Sequence, residues 1–152
     1  LSQTFLIDVD LSSTDLTGVD FSQARLTRAN LSNCNLRYAD LEAVQLRNAN
    51  LNCVDLTGAN LTACQLRRCN LYHATLRGVD LTDADLRDSS LKQANLSNVD
   101  LTYTDLAGAN VEAAVFDPTF AEYILANPAQ FFKPDAANIT SANSSSQQIQ
   151  VA

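Results

Sequence analysis

The sequence contains no methionine, no tryptophan and a single histidine, and only four glycines and three prolines among 152 residues. No apolar run approaches the roughly 18 to 20 residues needed to cross a bilayer, which excludes a spanning helix. The first residues lack the basic start and apolar stretch of a signal peptide, so a soluble chain with no membrane contact is expected. The chain opens on Leu1 rather than methionine, which leaves room for an upstream segment, processed or cut away. Basic residues are also scarce: 10 Lys and Arg against 17 Asp and Glu give a net charge of -7 and a pI near 4.4. That balance argues against direct nucleic-acid binding and against adhesion to anionic lipid; a basic partner, or none, fits better. A glycine-rich phosphate loop and the spacing of a catalytic triad are both missing. The length accommodates one ordinary domain.

Leu, Ala, Asn and Asp are abundant, and they recur in a fixed order. Counting in fives from Leu6 to Phe116, every fifth residue is large and apolar: twenty are Leu, and the others are Phe21, Val111 and Phe116. Two places before each stands Ala, Val, Cys, Thr or Ser, small residues that mark a tight site. Asp or Asn immediately precedes the large residue in 16 of 23 cases, and the two places after it are mostly polar and variable. A helix turning about 100° per residue would scatter these leucines in steps of roughly 140°, with no continuous apolar face. A straight strand would turn half of them into water. Both objections vanish if the chain turns a corner every five residues and keeps each Leu, with the small residue two before it, on the inside. The chain is then a solenoid.

Segments such as Ala29-Asn30-Leu31-Ser32-Asn33, Ala39-Asp40-Leu41-Glu42-Ala43 and Ala59-Asn60-Leu61-Thr62-Ala63 resemble the A(D/N)LXX motif of the pentapeptide-repeat family. The resemblance runs from residue 4 or so to residue 118. It implies an all-β fold, a right-handed quadrilateral parallel β-helix with four repeats per coil. Nearly six coils, at about 4.8 Å per layer, would make a rod roughly 28 Å long. The Asp and Asn suit its corners, because short polar side chains bond to nearby backbone amides and tolerate turn geometry. Leu-centred arrays of this kind look like those abundant in cyanobacteria and found in plastid lumens. The compartment stays open: cytoplasm is favoured, with periplasm or thylakoid lumen the alternatives if an upstream signal was removed.

Residues 1–118 are expected to form the β-helix, 119–134 a C-terminal helical cap and 135–152 a polar flexible tail. The repeats stop after Phe116, where Pro118, a Thr119-x-x-Glu122 capping box and Asn127-Pro128 predict a short helix near 119–126. Phe120, Tyr123 and Ile124 (or Leu125) would lie over the last coil, with Phe131 and Phe132 as a second apolar contact. From Asn138 onward Ser, Asn, Gln and Ala dominate without periodicity, which predicts mobility; Asn138 and Asn143 begin glycosylation-type triplets of the kind such composition produces by chance. At the other end Phe5 and Ile7 occupy usually polar places. Either the array continued upstream or these residues fold over the first coil, and an open end could also pair with a second copy as a homodimer.

Chemical groups are few. His73 falls at a solvent-facing corner with Cys53 directly below it on a 20-residue coil, but no orienting group or oxyanion site accompanies the pair. Cys34, Cys64 and Cys69 occupy the small inward site and read as core filler, and zinc would need about four converging ligands. No catalytic residue, metal or cofactor is assigned, and an enzyme is not expected. Sorted by wall, the outer surface is more informative. One wall carries Arg25, Arg28, Arg47, Arg67, Arg68 and Arg87, six of the eight arginines, offset at one end by Asp85 and Asp88. Another carries Asp20, Asp40, Glu42, Asp80, Asp83 and Asp100 and no basic residue. A non-enzymatic scaffold that binds an unidentified protein partner through these walls is the first expectation. The alternative comes from the resemblance: some pentapeptide-repeat proteins protect DNA gyrase from inhibitors by mimicking duplex DNA, although those are longer and mostly Phe-centred. A small ligand on the arginine column is the third.

Overall fold

The computed structural model describes residues 1–127 and 149–150. With one exception, residues before the register positions pair through isolated parallel bridges with those 20 positions later: Phe5 with Arg25, Arg25 with Gln45, Gln45 with Gln65. Backbone hydrogen bonds keep the same offset. Leu26 N–H donates to the Gln45 carbonyl (2.8 Å), and Gln45 N–H to that of Ala24 (2.9 Å). Five residues therefore make one side of a four-walled coil, and coils stack through their backbones.

The corners explain the period. The carbonyl of the register residue accepts the N–H three places on, as from Ala49 to Leu46 (2.8 Å), and the third turn residue takes a positive φ. Eighteen non-glycine residues and four glycines do so between Gln3 and Ala113, the signature of a type II turn. Left-handed backbone costs a non-glycine residue on the order of 1 kcal/mol, and inter-coil bonds offset it: the Arg28 N–H, at such a corner, donates to the Arg47 carbonyl (3.0 Å). Glycine is needed for space at Gly58, where a Cβ would stand 2.8 Å from the Tyr38 ring. The Asp or Asn before each Leu braces the turn from outside. All sixteen accept, through Oδ1, the N–H two residues on.

Inside, the register residues from Phe21 to Phe116 and the small residues from Ala24 to Ala114 are buried in one continuous core. Each fully buried Leu contributes about 1.5–3 kcal/mol, and the layers cover one another as in other one-dimensional repeats. The first coil is covered on one side only, so Leu6, Leu11 and Leu16 are half-buried. Phe5, 71% exposed, and Ile7, 46% exposed, stay on the outer wall in register. They do not fold over the first coil, which removes one of the two expectations for that end.

Regularity weakens towards the other end. The bridge expected between Asp80 and Asp100 is not formed. Tyr103 is the one residue of the corner series without a positive φ, and Asp83 N–H reaches the Tyr103 carbonyl (3.1 Å) instead of that of Thr102. A two-residue strand, β1 (Val115–Phe116), leads into helix α1 (Pro118–Ala126). The helix starts earlier than expected because Asp117, not Thr119, is its N-cap; Pro118 then sits where a missing N–H does no harm. Thr119 already lies inside the helix, so the anticipated capping box does not form. Asp117 instead accepts the Asn98 N–H (2.9 Å), replacing a backbone acceptor that a further coil would supply.

Ala121 and Ile124 are the buried residues of α1, while Tyr123 and Leu125 are exposed. Phe120 packs between Phe116 and Tyr123, with ring centroids 5.8 and 5.9 Å away. Asn127 closes the helix, its N–H bonding to the Tyr123 and Ile124 carbonyls. Strand β2 (Ile149–Gln150) pairs antiparallel with β1. The expected contacts of Phe131 and Phe132, the triplets at Asn138 and Asn143 and most of the polar tail lie outside the described residues.

Candidate interaction surfaces

Three of the four cysteines serve the core. Cys34 and Cys69 donate their thiols to the carbonyls of Leu11 (2.9 Å) and Leu46 (2.8 Å). Burial pushes the Cys69 thiol up to about 12 and raises Cys64 and Cys34 as well, so the inward thiols stay protonated. Cys53 is exposed and shares a corner column with His73; its thiol contacts Asn52 Oδ1 (3.6 Å), whereas the His73 ring meets Tyr72 edge-on at 4.3 Å. Among the described residues no three His, Cys, Asp or Glu are grouped to hold a metal ion, and no helix is long and apolar enough to cross a membrane.

The ladder Phe5–Arg25–Gln45–Gln65–Asp85–Asp105 runs up one wall and brings the six predicted arginines to one face. Their charges are not equally free. Arg28 clasps Asp8 through Nε and Nη2, both at 2.6 Å. Arg87 holds Asp85 at 2.7 Å and Asp105 at 3.4 Å, and Arg67 reaches Asp88 at 3.2 Å. These contacts hold Asp8 and Asp85 below the usual carboxylate range, in each case chiefly through the arginine's hydrogen bond. The Arg25 guanidinium lies over the Phe5 ring, 4.8 Å from its centroid. Neutralisation thus occurs at both ends, with Asp8 adding to the expected Asp85 and Asp88. Mid-wall, Arg47 and Arg68 are exposed and, like Arg25 on its ring, have no acidic partner among the described residues.

On the adjoining wall Asp20, Asp40, Asn60 and Asp80 form one ladder, which Asp100 does not join. Asn60 Nδ2 donates to Asp40 Oδ1 (3.2 Å) and separates like charges in mid-column. Hydrogen bonds hold Asp20, Asp80 and Asp100 below the usual carboxylate range: the hydroxyl and backbone N–H of Ser22 for Asp20, the backbone N–H and then the hydroxyl of Thr82 for Asp80, and the hydroxyl and backbone N–H of Thr102 for Asp100. Glu42 and Asp83 project from its corners, exposed. The two remaining arginines, Arg37 and Arg77, flank a shallow groove of about 490 Å³ on a third wall, with Arg37 paired to Asp55 at 3.2 Å. A second hollow, about 540 Å³, lies between α1 and residues 98–102.

A family model described as Pentapeptide repeats matches in eight copies over residues 1–33, 24–62, 39–78, 64–102 and 80–117. The chain belongs to the pentapeptide-repeat family. That membership carries the right-handed quadrilateral β-helix, and members are generally non-enzymatic structural or interaction proteins. Among solved structures it is similar to the pentapeptide repeat protein Rfr23 of the cyanobacterium Cyanothece 51142, at 28% identity and TM-score 0.69, covering 75% of this chain and 88% of that one. It is also similar to a pentapeptide repeat protein from the Arabidopsis thaliana thylakoid lumen, at 25% identity and TM-score 0.42, covering 84% of each chain. A trypsin-treated form of QnrB1, a plasmid-mediated fluoroquinolone resistance protein, shares 14% identity and TM-score 0.42 over 73% of this chain and 76% of that one. No curated protein matches at a significant level.

Reading charge by wall found the arginines and the offset by Asp85 and Asp88, but not Asp8 or which arginine each carboxylate holds. Asp8 and Arg28 are 20 residues apart, one coil, so their contact was legible in the spacing. Arg67 and Asp88 are 21 apart and meet across columns, which a one-coil offset does not reveal.

Proposed function

We propose that this chain is a non-enzymatic protein–protein interaction scaffold. Residues 1–118 would form a rigid bar of nearly six coils, with residues 119–134 as the helical cap of its C-terminal end and 135–152 as a polar tail. The observation that carries the reading is the division of labour across the wall: the inner layer is apolar and uniform, while free positive charge collects mid-wall at Arg47 and Arg68 beside a wall that carries acidic residues and no basic one. Inward thiols held neutral by burial, and the lack of a metal-holding group among the described residues, fit a surface that binds rather than reacts. Arg25, Arg28, Arg67 and Arg87 would frame the Arg47–Arg68 surface, with Asp20, Asp40, Glu42, Asp80, Asp83 and Asp100 as the second face. The open first coil offers a separate contact for a second copy.

The test is affinity capture from a cell extract with the wild type and with R47Q/R68Q. Both should melt alike, and the variant should lose the captured protein; unchanged capture would remove the arginine surface from the proposal. The DNA-mimic alternative makes a different demand, a continuous negative face, which the arginine wall interrupts. Added protein at micromolar levels should leave gyrase supercoiling unchanged.

A further inference from the structure

Seven of the 23 residues that precede a register position are neither Asp nor Asn, and four of these follow one another up a single wall: Phe5, Arg25, Gln45 and Gln65. Without the bracing oxygen, the N–H groups of Ile7, Thr27, Arg47 and Arg67 have no acceptor among the described residues. At about 4.8 Å per layer they form a ladder of outward backbone donors roughly 14 Å long. The corners before Leu76 and Leu91, at Thr75 and Ser90, also lack the brace. Each stands alone between braced layers, Asp55 and Asn95 in one case and Asn70 and Asn110 in the other.

The same wall shows what belongs in the gap. One layer further on, the Asp85 carboxylate accepts the Arg87 N–H (3.1 Å) and is clasped by the Arg87 side chain, Nε to Oδ1 at 2.8 Å and Nη2 to Oδ2 at 2.7 Å. Asp105 Oδ1 takes the Ala107 N–H in the next layer (3.0 Å). At Arg47 and Arg67 the same pair of groups, backbone N–H and guanidinium on one residue, faces Gln45 and Gln65 in place of Asp. Arg67 turns its Nη2 to Asp88 (3.2 Å) and leaves its buried Nε without a hydrogen-bond partner, and Arg47 has no acidic partner among the described residues, so the open guanidinium is that of Arg47. Backbone N–H groups in a row beside an uncompensated guanidinium select anionic oxygens. The internal template says that the fitting anion is a carboxylate.

We propose that this wall docks an acidic segment of a partner protein, whose Asp or Glu carboxylates take the corner positions left open at Arg47, Arg67 and their neighbours. Arg47 and Arg68 supply the countercharge, and exposed Phe5 and Ile7 add apolar contact at one end of the ladder. This rests on the scaffold reading and names the chemistry of its partner.

The experiment is a fluorescence-anisotropy titration at low salt with a fluorescein-labelled octaglutamate peptide, with octaglutamine and a single-stranded eight-nucleotide DNA as comparison probes. The decisive variant is Q45N/Q65N, which restores the missing braces from within, leaves every arginine in place and does not change net charge. The wild type should bind octaglutamate and not octaglutamine. Q45N/Q65N should bind at least tenfold more weakly with an equal or higher melting temperature, and R47Q/R68Q should also bind at least tenfold more weakly. No binding of octaglutamate by the wild type, equal binding by Q45N/Q65N, or equal affinity for the oligonucleotide would overturn the proposal. The scaffold reading fails separately, if the wild type captures no protein from an extract.

Discussion

Two adjoining walls of this solenoid share an interior and differ in how their corners are held. On the acidic wall Asp20, Asp40, Asn60, Asp80 and Asp100 each brace the turn that follows. On the basic wall the first four layers, Phe5, Arg25, Gln45 and Gln65, leave the turn unbraced. Both nevertheless bury their leucines equally, Leu46 at 1% exposure and Leu61 at 0%. Inner packing and inter-coil hydrogen bonds therefore suffice to hold a corner, and the braces add to a fold already specified. Where a wall dispenses with them over four layers, its outer residues answer to something other than the fold.

The largest effect should come from the part the walls share. Leu46→Ala and Leu61→Ala each open a cavity in the close-packed interior, and each should cost about 2–5 kcal/mol. Urea unfolding should find the two losses within about 1 kcal/mol of each other. A tolerant Leu46 beside an intolerant Leu61 would mean that the basic wall is loosely packed, and the comparison would lose its premise.

The braces come next. Asn60 Oδ1 accepts both the N–H and the hydroxyl of Thr62, at 3.0 and 2.7 Å, and Nδ2 reaches Asp40. Replacing it by Ala removes these bonds without changing charge and should cost about 1–2 kcal/mol. Gln65, in the equivalent place one wall on, makes no such bond, so Gln65→Ala should stay within about 0.5 kcal/mol of wild type. Equal losses at the two sites would show that the unbraced corners are stabilised by something their hydrogen bonds do not reveal.

The interior was legible because a period of five is incompatible with helix and straight strand alike, and because the small residue two before each Leu marks the inner side. The acidic and basic walls followed once coils of 20 residues were assumed. The start of α1 was misplaced because Thr119-x-x-Glu122 has the local form of a cap, whereas the deciding contact, Asn98 N–H to Asp117, joins residues 19 apart in sequence. The slip at Tyr103 has no signal at all: Asp100-Leu101-Thr102 matches the motif, and the constraint is lost only because residues 118–126 turn helical and lay no further strand over that coil. The unbraced ladder was present in the sequence as Phe5, Arg25, Gln45 and Gln65, but counting Asp and Asn over the whole chain averaged it away.

Acid should separate the walls more gently. Asp20, Asp80 and Asp100 are held below their usual value of 3.8 by hydroxyl and backbone donors. A carboxylate whose folded value is lowered stabilises the fold fully above its unfolded value, and loses that contribution as pH falls through the folded one. The melting temperature should therefore fall below about pH 4. D20N/D80N/D100N keeps an oxygen on each corner N–H but nothing to titrate, so its melting temperature should fall less steeply. An identical slope would place the acid sensitivity elsewhere.

The smallest effect belongs to the Arg28–Asp8 pair. Its geometry is bidentate, but the two side chains are 55% and 58% exposed, and at such exposure solvent and salt screen most of the attraction. Arg28→Gln should leave the melting temperature unchanged at high salt and lower it only marginally at low salt. This weakness is informative about the wall as a whole. Pairs that contribute little to stability can be exchanged for a partner's carboxylates at little energetic loss, whereas the braced corners of the adjoining wall cannot. A large loss on replacing Arg28 would show that the basic wall is held together by its own ion pairs, and would make it a structural face instead of an available one.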